Sequence, residues 1–316
     1  MRIVFLDAAT LAEDVVFPRP AFPHEWIDYA ATPPEKVLER AQGADIIVSN
    51  KVRIEAAAIA ALPGLKLIAA AATGYDNIDL AAARAAGVAV TNIRGYSADS
   101  VPEHVFALIL ALSRQILPYV ADVRAGEWQK SGQFCFHTHS IWDLHGKRLG
   151  LIGSGDLGAR TAALGRAFGM EIVFAGRKNG EPREGQIAFA ELLATSDVIS
   201  LHCPLNAETQ NLIGDAEFAA MAKKPLLINT ARGGLVDEAA LERALDAGLL
   251  RGAGIDVTRP EPPPAESVIM RLAQRNDVIV TPHTAWASRE SQSRMGAQLC
   301  EVLESFAAGG KLNRLD

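Results

Sequence analysis

The chain has 316 residues, of which 49% are hydrophobic and 22% charged, and its formal net charge is -6. This composition predicts a soluble globular protein with room for two domains, and the dispersed lysines and arginines and the absence of a long apolar run argue against nucleic-acid-binding and membrane-spanning proteins. Three widely separated cysteines exclude a disulfide framework and fit a reducing cytoplasm.

Short β-rich runs alternate with helical stretches along the chain. We expect strands at 3–6, 45–49, 66–70 and 88–91, and again at 148–152, 171–175, 197–201, 226–229, 252–257 and 278–281. The start of the chain is then a first strand rather than a signal peptide. Two such series predict an α/β fold with two doubly wound parallel-sheet domains, one formed by residues 1–98 plus 287–316 and one by 99–286.

A long helix is predicted between the two series. Ser100 and Glu103 have the spacing of a capping box, and Pro102 lies in the first turn, where no backbone donor is lost. The apolar residues that follow, as far as Leu117, lie on more than one face, which indicates a buried helix. The sequence leaves open whether it is buried between domains or between subunits. A second helix is predicted at about 286–307.

A glycine loop connects strand 148–152 to a helix at 157–168. Gly153 permits a tight turn, Gly155 lets the backbone approach a pyrophosphate, and Gly158 lets helix and strand pack closely. The first helical N–H groups, including those of Asp156 and Leu157, can then bind phosphate oxygens. This context predicts a dinucleotide site.

The residues after the next strand indicate which dinucleotide binds. An NAD site usually has a carboxylate there for the ribose 2′-hydroxyl, whereas this chain has Gly176, Arg177 and Lys178. Two cations suit a 2′-phosphate, so NADP is favoured, with NAD possible. The alternative is that both cations belong to a solvated turn.

At this point the chain resembles a known family. It is similar over nearly its whole length to the D-isomer-specific 2-hydroxyacid dehydrogenases, nearest to the glycerate dehydrogenase and hydroxypyruvate (glyoxylate) reductase branch. The segments that carry the resemblance are Ala72-Thr73-Gly74-Tyr75-Asp76-Asn77, Gly153–Gly158, Leu227–Gly234, Gly254-Ile255-Asp256-Val257, Glu261-Pro262 and Thr281–Ser288. The resemblance implies a flavodoxin-like substrate domain and a Rossmann cofactor domain.

The resemblance also implies a catalytic set of Arg232, Glu261 and His283. Reduction of a 2-keto acid needs a clamp for the carboxylate and a proton donor at the developing alkoxide. The guanidinium of Arg232 can bind two oxygens in a fork, the imidazole of His283 exchanges a proton near neutral pH, and Glu261 can orient that imidazole. Taken one at a time, these residues also suit a surface ion pair, a structural histidine and a solvated loop.

Further contacts are expected, those with substrate from the residues themselves and several of those with cofactor from the same resemblance. Substrate is expected at Thr73, Gly74 and Tyr75, as well as at Arg232, His283 and Trp286, although Trp286 is equally suited to core packing. Asp256 is expected at the nicotinamide amide, with a strand-end turn as its alternative. The cofactor is expected to contact Thr73, Gly153, Gly155, Asp156, Leu157, Gly158, Gly176, Arg177, Lys178, Cys203, Thr230, Ala231, Arg232, Asp256, His283 and Ala285.

One segment departs from that pattern. Cys135, His137 and His139 would share one face if the chain were extended, which is an arrangement that a metal site can use. The resembling family has no metal there, so we expect none and leave any role of this loop open.

These observations predict a cytoplasmic, homodimeric NAD(P)H-dependent reductase of small 2-keto acids, with hydroxypyruvate or glyoxylate as the first candidates. No nucleic-acid or membrane partner is expected. The alternatives are a dehydrogenase of a larger 2-hydroxy acid and, from a different class, a dinucleotide-sensing protein similar to a corepressor.

Overall fold

The computed structural model describes residues 1–315, so Asp316 lies outside the described residues. The chain divides into two compact units, one formed by Met1–Ser97 with Ala287–Asp316 and the other by Ala98–Trp286. Each predicted strand is present, with ends that shift by no more than two residues. Two edge strands were not predicted.

The first unit contains one parallel sheet. Its strands are β1 (Arg2–Phe5), β2 (Glu25–Asp28), β3 (Ile46–Ser49), β4 (Leu67–Ala70) and β5 (Ala89–Thr91). Its helices are α1 (Val37–Ala41), α2 (Ala56–Ala60), α3 (Leu80–Ala85) and α12 (Arg289–Ala307), and its 3-10 helices are Ala8–Thr10 and Pro34–Lys36. The strand order β2-β1-β3-β4-β5 is the flavodoxin-like order, as the resemblance implies.

The position of each strand in this sheet explains its composition. Every residue of β3 and β4 is buried, because parallel strands inside a sheet are covered on both faces. The unpredicted β2 pairs only with β1, and both of its end residues are exposed. An edge strand needs no continuous apolar run, so β2 carries too little hydrophobic pattern to be found from the sequence.

The second unit contains a larger parallel sheet. Its strands are β6 (Arg148–Ile152), β7 (Glu171–Ala175), β8 (Gln186–Ile187), β9 (Val198–Leu201), β10 (Leu226–Asn229), β11 (Gly252–Ile255) and β12 (Val278–Val280). Its helices are α4 (Ser100–Ser113), α5 (Ile116–Arg124), α6 (Glu127–Ser131), α7 (Asp156–Ala167), α8 (Phe189–Thr195), α9 (Asp215–Ala220), α10 (Glu238–Asp246) and α11 (Val268–Leu272), with a 3-10 helix at Gly233–Leu235. The order β12-β11-β10-β9-β6-β7-β8 is that of a Rossmann domain extended by one strand, which confirms the predicted fold class.

Both faces of this second sheet are buried in apolar side chains. Leu149 and Leu151 of β6 pack with Val105 and Ile109 of α4, whereas Ile152 packs in the cluster on the opposite face. Successive side chains of a strand point to opposite faces, so one short strand contributes to both cores. The sheet is therefore fixed from both sides, and the loops at its carboxyl edge start from a rigid base.

Two details of the predicted long helix are wrong. The Ser100 hydroxyl does not cap the helix: Asp99 is the N-cap residue, and Ser100 Oγ donates to the Ala285 carbonyl at 2.6 Å. The helix also ends at Ser113, because Gln115 has a φ of 51° and turns the chain into α5. Leu117 is consequently 53% exposed instead of buried.

Among the described residues, no single helix combines the length and apolar character needed to cross a membrane. The pair α4 and α5, bent by 57°, meets the length and composition requirement when the two are taken together. Most of α4 is buried in the core of the second unit.

Candidate active site

The glycine loop lies between β6 and α7 and has the geometry that a pyrophosphate needs. A Cβ on Gly153 would lie 2.5 Å from the carbonyl carbon of His202, and one on Gly158 would lie 2.1 Å from the Gly153 oxygen, so neither position accepts a side chain. Gly155 faces open space, with nothing within 4 Å of its Cβ position. The loop therefore packs tightly on one side and leaves its Gly155 side accessible.

The free N–H groups and partial positive charge at the start of α7 also suit an anion. The first N–H groups of a helix have no partner within it, and the helix dipole places partial positive charge there. The Asp156 side chain turns away to Arg160, whose Nε donates to Asp156 Oδ1 at 3.1 Å. The backbone rather than the Asp156 carboxylate would meet the phosphates.

The point at which the strand order reverses lies between β6 and β9, which pair with Leu149 opposite Val198. Open α/β sheets bind ligands at such a reversal. His202 and Cys203 follow β9 here, and His202 was not singled out from the sequence. Desolvation lowers the pKa of His202 to about 4 and raises that of the Cys203 thiol to about 11, so both groups are neutral beside the loop.

At the end of β7 the two predicted cations differ in their surroundings. Lys178 Nζ lies 2.7 Å from Glu217 Oε1 and donates to the Leu212 carbonyl at 3.2 Å, whereas Arg177 is exposed. A Cβ on Gly176 would lie 2.9 Å from the Cα of Pro182. A carboxylate side chain at Gly176 would therefore require a backbone shift.

Arg232 follows β10 in a short turn. Its backbone carbonyl accepts from Asn229 Nδ2 at 2.9 Å, and its Nη1 donates to the Ala231 carbonyl at 2.7 Å. Gly233 permits the turn, because a Cβ there would lie 2.3 Å from the backbone of Thr258. Among the described residues, the Thr230 hydroxyl is buried without a hydrogen-bond partner, which suits a donor or acceptor on a bound ligand.

Glu261 and His283 are in direct contact. Glu261 Oε2 lies 2.7 Å from His283 Nδ1, and Glu261 Oε1 accepts from the Thr258 N–H at 3.0 Å. The carboxylate is thus held by a backbone donor on one oxygen and orients the imidazole with the other. When Nδ1 carries a proton, it donates a hydrogen bond to Glu261. His283 Nε2 is then the nitrogen that can exchange a proton with a substrate.

Asp256 is almost fully buried, at 1% exposed. Its Oδ1 accepts from Thr281 Oγ1 at 2.5 Å and from the Thr284 N–H at 2.9 Å, and its Oδ2 accepts from the Ala285 N–H at 2.9 Å. The side chain has no exposed surface, so the structure gives Asp256 the strand-end role. Its contact with a nicotinamide amide stays a prediction.

The other predicted substrate residues lie elsewhere in the chain. Thr73, Gly74 and Tyr75 follow β4 in the first unit, where the Thr73 carbonyl accepts from Asn92 Nδ2 at 2.8 Å. Trp286 is half-buried at the end of the second unit. Their roles in substrate binding stay predictions.

The loop of Cys135, His137 and His139 does not converge on a common point. Cys135 Sγ lies 3.6 Å from His137 Nε2, whereas His139 Nε2 lies 2.9 Å from Asp122 Oδ2. Within residues 1–315 no group of three or more His, Cys, Asp or Glu side chains is placed to hold a metal ion. His139 instead ties this loop to α5.

The residues of the second unit therefore fit a dinucleotide on three grounds. These are the accessible Gly155, the start of the twelve-residue α7 and the unpartnered Thr230 hydroxyl. Arg232, Glu261 and His283 all follow strands β10 to β12 at the same edge of the sheet. A cationic clamp and an oriented imidazole at that edge suit proton transfer to a carbonyl oxygen.

Comparison with known proteins agrees with this chemistry. Residues 106–285 match the family model of the D-isomer specific 2-hydroxyacid dehydrogenase, NAD binding domain. The chain is 46% identical to the glycerate dehydrogenase of Methylorubrum extorquens over 99% of this chain and 98% of that protein.

Solved structures show the same relationship. A glyoxylate reductase from Paecilomyes thermophila superposes with a TM-score of 0.84 at 30% identity, covering 100% of this chain and 98% of the other. An acyclic imino acid reductase solved in complex with NADPH and D-Arg superposes with a TM-score of 0.82 at 28% identity, covering 100% of both chains. The chain belongs to the D-isomer-specific 2-hydroxyacid dehydrogenases, oxidoreductases that act on CH–OH donors with a nicotinamide dinucleotide.

Proposed function

We propose that this enzyme reduces hydroxypyruvate or glyoxylate, giving D-glycerate or glycolate, with NADPH as the preferred cofactor. The observation that carries the proposal is the 2.7 Å contact between Glu261 Oε2 and His283 Nδ1, with Arg232 at the end of a nearby strand of the same sheet. The resemblance to a glycerate dehydrogenase and to a glyoxylate reductase supports small substrates.

Arg232 would bind the substrate. Its planar guanidinium can donate to a carboxylate oxygen and to the neighbouring keto oxygen together, which fixes the carbonyl in one orientation. The turn that carries Arg232 is held by Asn229 and by the close approach of Gly233 to Thr258. The guanidinium thereby starts from a defined position, which lowers the entropic cost of orienting the substrate.

His283 would act on the keto oxygen. A bound reduced nicotinamide supplies the hydride to the carbonyl carbon. His283 Nε2 would give its proton to the developing alkoxide in reduction and remove it in oxidation. Glu261 stabilises the positive charge of the imidazolium before the transfer and fixes the angle of the ring.

Arg177 would determine the preference for NADPH. Its exposed guanidinium can pair with a 2′-phosphate, whereas the charge of Lys178 is balanced by Glu217. We expect Arg177→Gln to lower kcat/KM for NADPH by about 10-fold to 100-fold, the effect of one charge-assisted contact, and to leave kcat/KM for NADH unchanged. Steady-state kinetics with both cofactors measure this.

A matched control is Arg166→Gln, which removes an exposed arginine from the far end of α7. It should leave the ratio of the two kcat/KM values as in the wild type. An equal loss with NADH and NADPH in Arg177→Gln would show that Arg177 does not contact a 2′-phosphate.

Turnover is tested by following the absorbance of the reduced nicotinamide with a panel of 2-keto acids of increasing side-chain size. The proposal predicts the highest kcat/KM with hydroxypyruvate or glyoxylate. A maximum with a branched or aromatic keto acid would favour the larger-substrate alternative, and tight dinucleotide binding without turnover would favour a sensor.

We also propose that two copies of the chain associate through α5, α6 and the loop after α6. This surface exposes apolar side chains that include Leu117 at 53%, Trp128 at 48% and Phe134 at 94%. Clustered exposed apolar residues are typical of an interface, and a two-fold dimer would bury the same face on both copies.

Light scattering of the purified protein should give the mass of a dimer. Leu117→Glu should shift it towards the monomer, because a carboxylate would be placed in an apolar interface. Leu38→Glu, at an exposed leucine of α1, is the control that should stay dimeric. A wild-type monomer at micromolar concentration would refute this interface.

We place the enzyme in the cytoplasm, where thiols stay reduced. Cys135, Cys203 and Cys300 are all unpaired. Cell fractionation followed by immunodetection tests this, and recovery in a secreted fraction would contradict it.

A further inference from the structure

The segment that carries His283 has a strained backbone. His283 has a φ of 55°, in the left-handed region that a residue with a side chain rarely adopts. Such a conformation persists only where its surroundings determine it. Its N–H donates to the Asp256 carbonyl at 2.8 Å, and the next two N–H groups donate to the Asp256 carboxylate.

Helix α4 contacts both ends of this segment. At its start, His104 Nε2 lies 3.0 Å from Thr281 Oγ1 and 3.7 Å from Asp256 Oδ1. At its end, Ser100 Oγ donates to the Ala285 carbonyl at 2.6 Å. Ser100 and His104 are four residues apart, so they lie on one face of α4.

The direction of the hydrogen bonds is determined by the groups present. The Thr281 hydroxyl has one proton, which it donates to Asp256 at 2.5 Å, so its oxygen accepts from His104. His104 must then carry a proton on Nε2. The result is a connected chain of donors from His104 through Thr281 to the buried Asp256 carboxylate, which in turn holds the backbone on both sides of the imidazole.

We propose that His104 and Thr281 are positioning residues for the general acid His283, acting through Asp256. This rests on the proposed function of His283. Among the hydrogen bonds of the described residues, neither side chain bonds to His283, and both act by fixing the backbone from which the imidazole extends. A displacement of about 1 Å at a reacting group can lower a rate by roughly 100-fold, so loss of this network should act on catalysis.

The test compares Thr281→Val with Thr281→Ser. Valine matches the shape of threonine but lacks the hydroxyl, whereas serine keeps it. We expect Thr281→Val to lower kcat by roughly 10-fold to 100-fold while the Kd for NADPH stays near the wild-type value. Thr281→Ser should retain most of the wild-type kcat, and His104→Leu should resemble Thr281→Val. Equal kcat in Thr281→Val and the wild type would overturn the proposal.

A second readout separates this proposal from the proposed function. The ¹⁵N shifts of the His283 ring, assigned by comparison with His283→Asn, report its hydrogen bonding and tautomer without turnover. If the wild type reduces none of the keto acids, the proposed function fails, and the ring shifts still test the network. His283 ring shifts in Thr281→Val identical to those of the wild type would then contradict the positioning role of Thr281. If Thr281→Val does not fold, His104→Leu undergoes the same comparison.

Discussion

Replacing His283 by asparagine is expected to lower kcat for keto acid reduction by about 1000-fold. General acid catalysis contributes roughly 100-fold to 10,000-fold, and an asparagine amide has no proton to transfer at neutral pH. The glycine loop and the end of β7 are untouched and His283 is one of many expected cofactor contacts, so the Kd for NADPH should change far less than kcat. Steady-state kinetics give kcat, and quenching or energy-transfer fluorescence with NADPH gives the Kd.

Two controls accompany this variant. His24→Asn removes a histidine of the first unit whose Nδ1 lies 2.7 Å from the Phe22 carbonyl oxygen, and it should leave kcat unchanged. Glu261→Gln retains an acceptor near His283 Nδ1 but removes the negative charge, so a smaller loss than that of His283→Asn is expected. Near-normal turnover in His283→Asn would refute the assignment of the general acid.

Replacing Arg232 by alanine should impair substrate binding and rate together. Two charge-assisted hydrogen bonds are worth about 3 to 5 kcal/mol, so kcat/KM for the keto acid should fall by roughly 1000-fold. Lysine should not restore it, because an ammonium cannot donate in the same planar fork. The measurement is kcat and KM for hydroxypyruvate in Arg232→Ala and Arg232→Lys.

Added guanidinium gives a sharper version of this test. A free guanidinium ion can occupy the space left in Arg232→Ala and should restore part of the lost activity, whereas it should not stimulate the wild type. Arg271→Gln removes an arginine that is paired with Glu242 at 2.8 Å and lies away from the site, so it serves as the control. A KM and kcat in Arg232→Ala equal to those of the wild type would show that another residue binds the carboxylate.

The sequence predicted the parts of the fold that have a strong local pattern. Strand β6 is apolar from Leu149 to Ile152 and β10 from Leu226 to Ile228, and the glycines between β6 and α7 mark a turn that only residues without a Cβ permit. β2 and β8 were missed because an edge strand is half exposed and β8 has only two residues. Local pattern thus predicts buried strands well and edge strands poorly.

Side-chain hydroxyls and single backbone angles were harder to predict. Ser100 has the spacing of a capping residue, yet its hydroxyl bonds to Ala285, which is distant in sequence. The left-handed Gln115 separates α4 from α5, and the proline signal, Pro118 in the first turn of α5, comes only after the break. Tertiary contacts and one dihedral angle overrode the local preference in both cases.

In the candidate site, too, residues within a local motif could be predicted and partners brought together by the fold could not. Arg232, Glu261 and His283 were identified through motif resemblance, and the chemistry of a keto acid gave a reason for each. The contacts of His104 with Thr281 and of Lys178 with Glu217 join residues far apart in the chain, at positions that no local motif marks. Such partners become visible only once the fold brings them together.

Oxidation of NADPH by the purified chain with hydroxypyruvate and glyoxylate, beside the His283→Asn variant, tests the proposed reduction most directly. We expect turnover in the wild type, a higher kcat/KM with NADPH than with NADH, and a near-complete loss of turnover in the variant. Tight binding of NADPH with no oxidation in the presence of any 2-keto acid would contradict the proposed reduction.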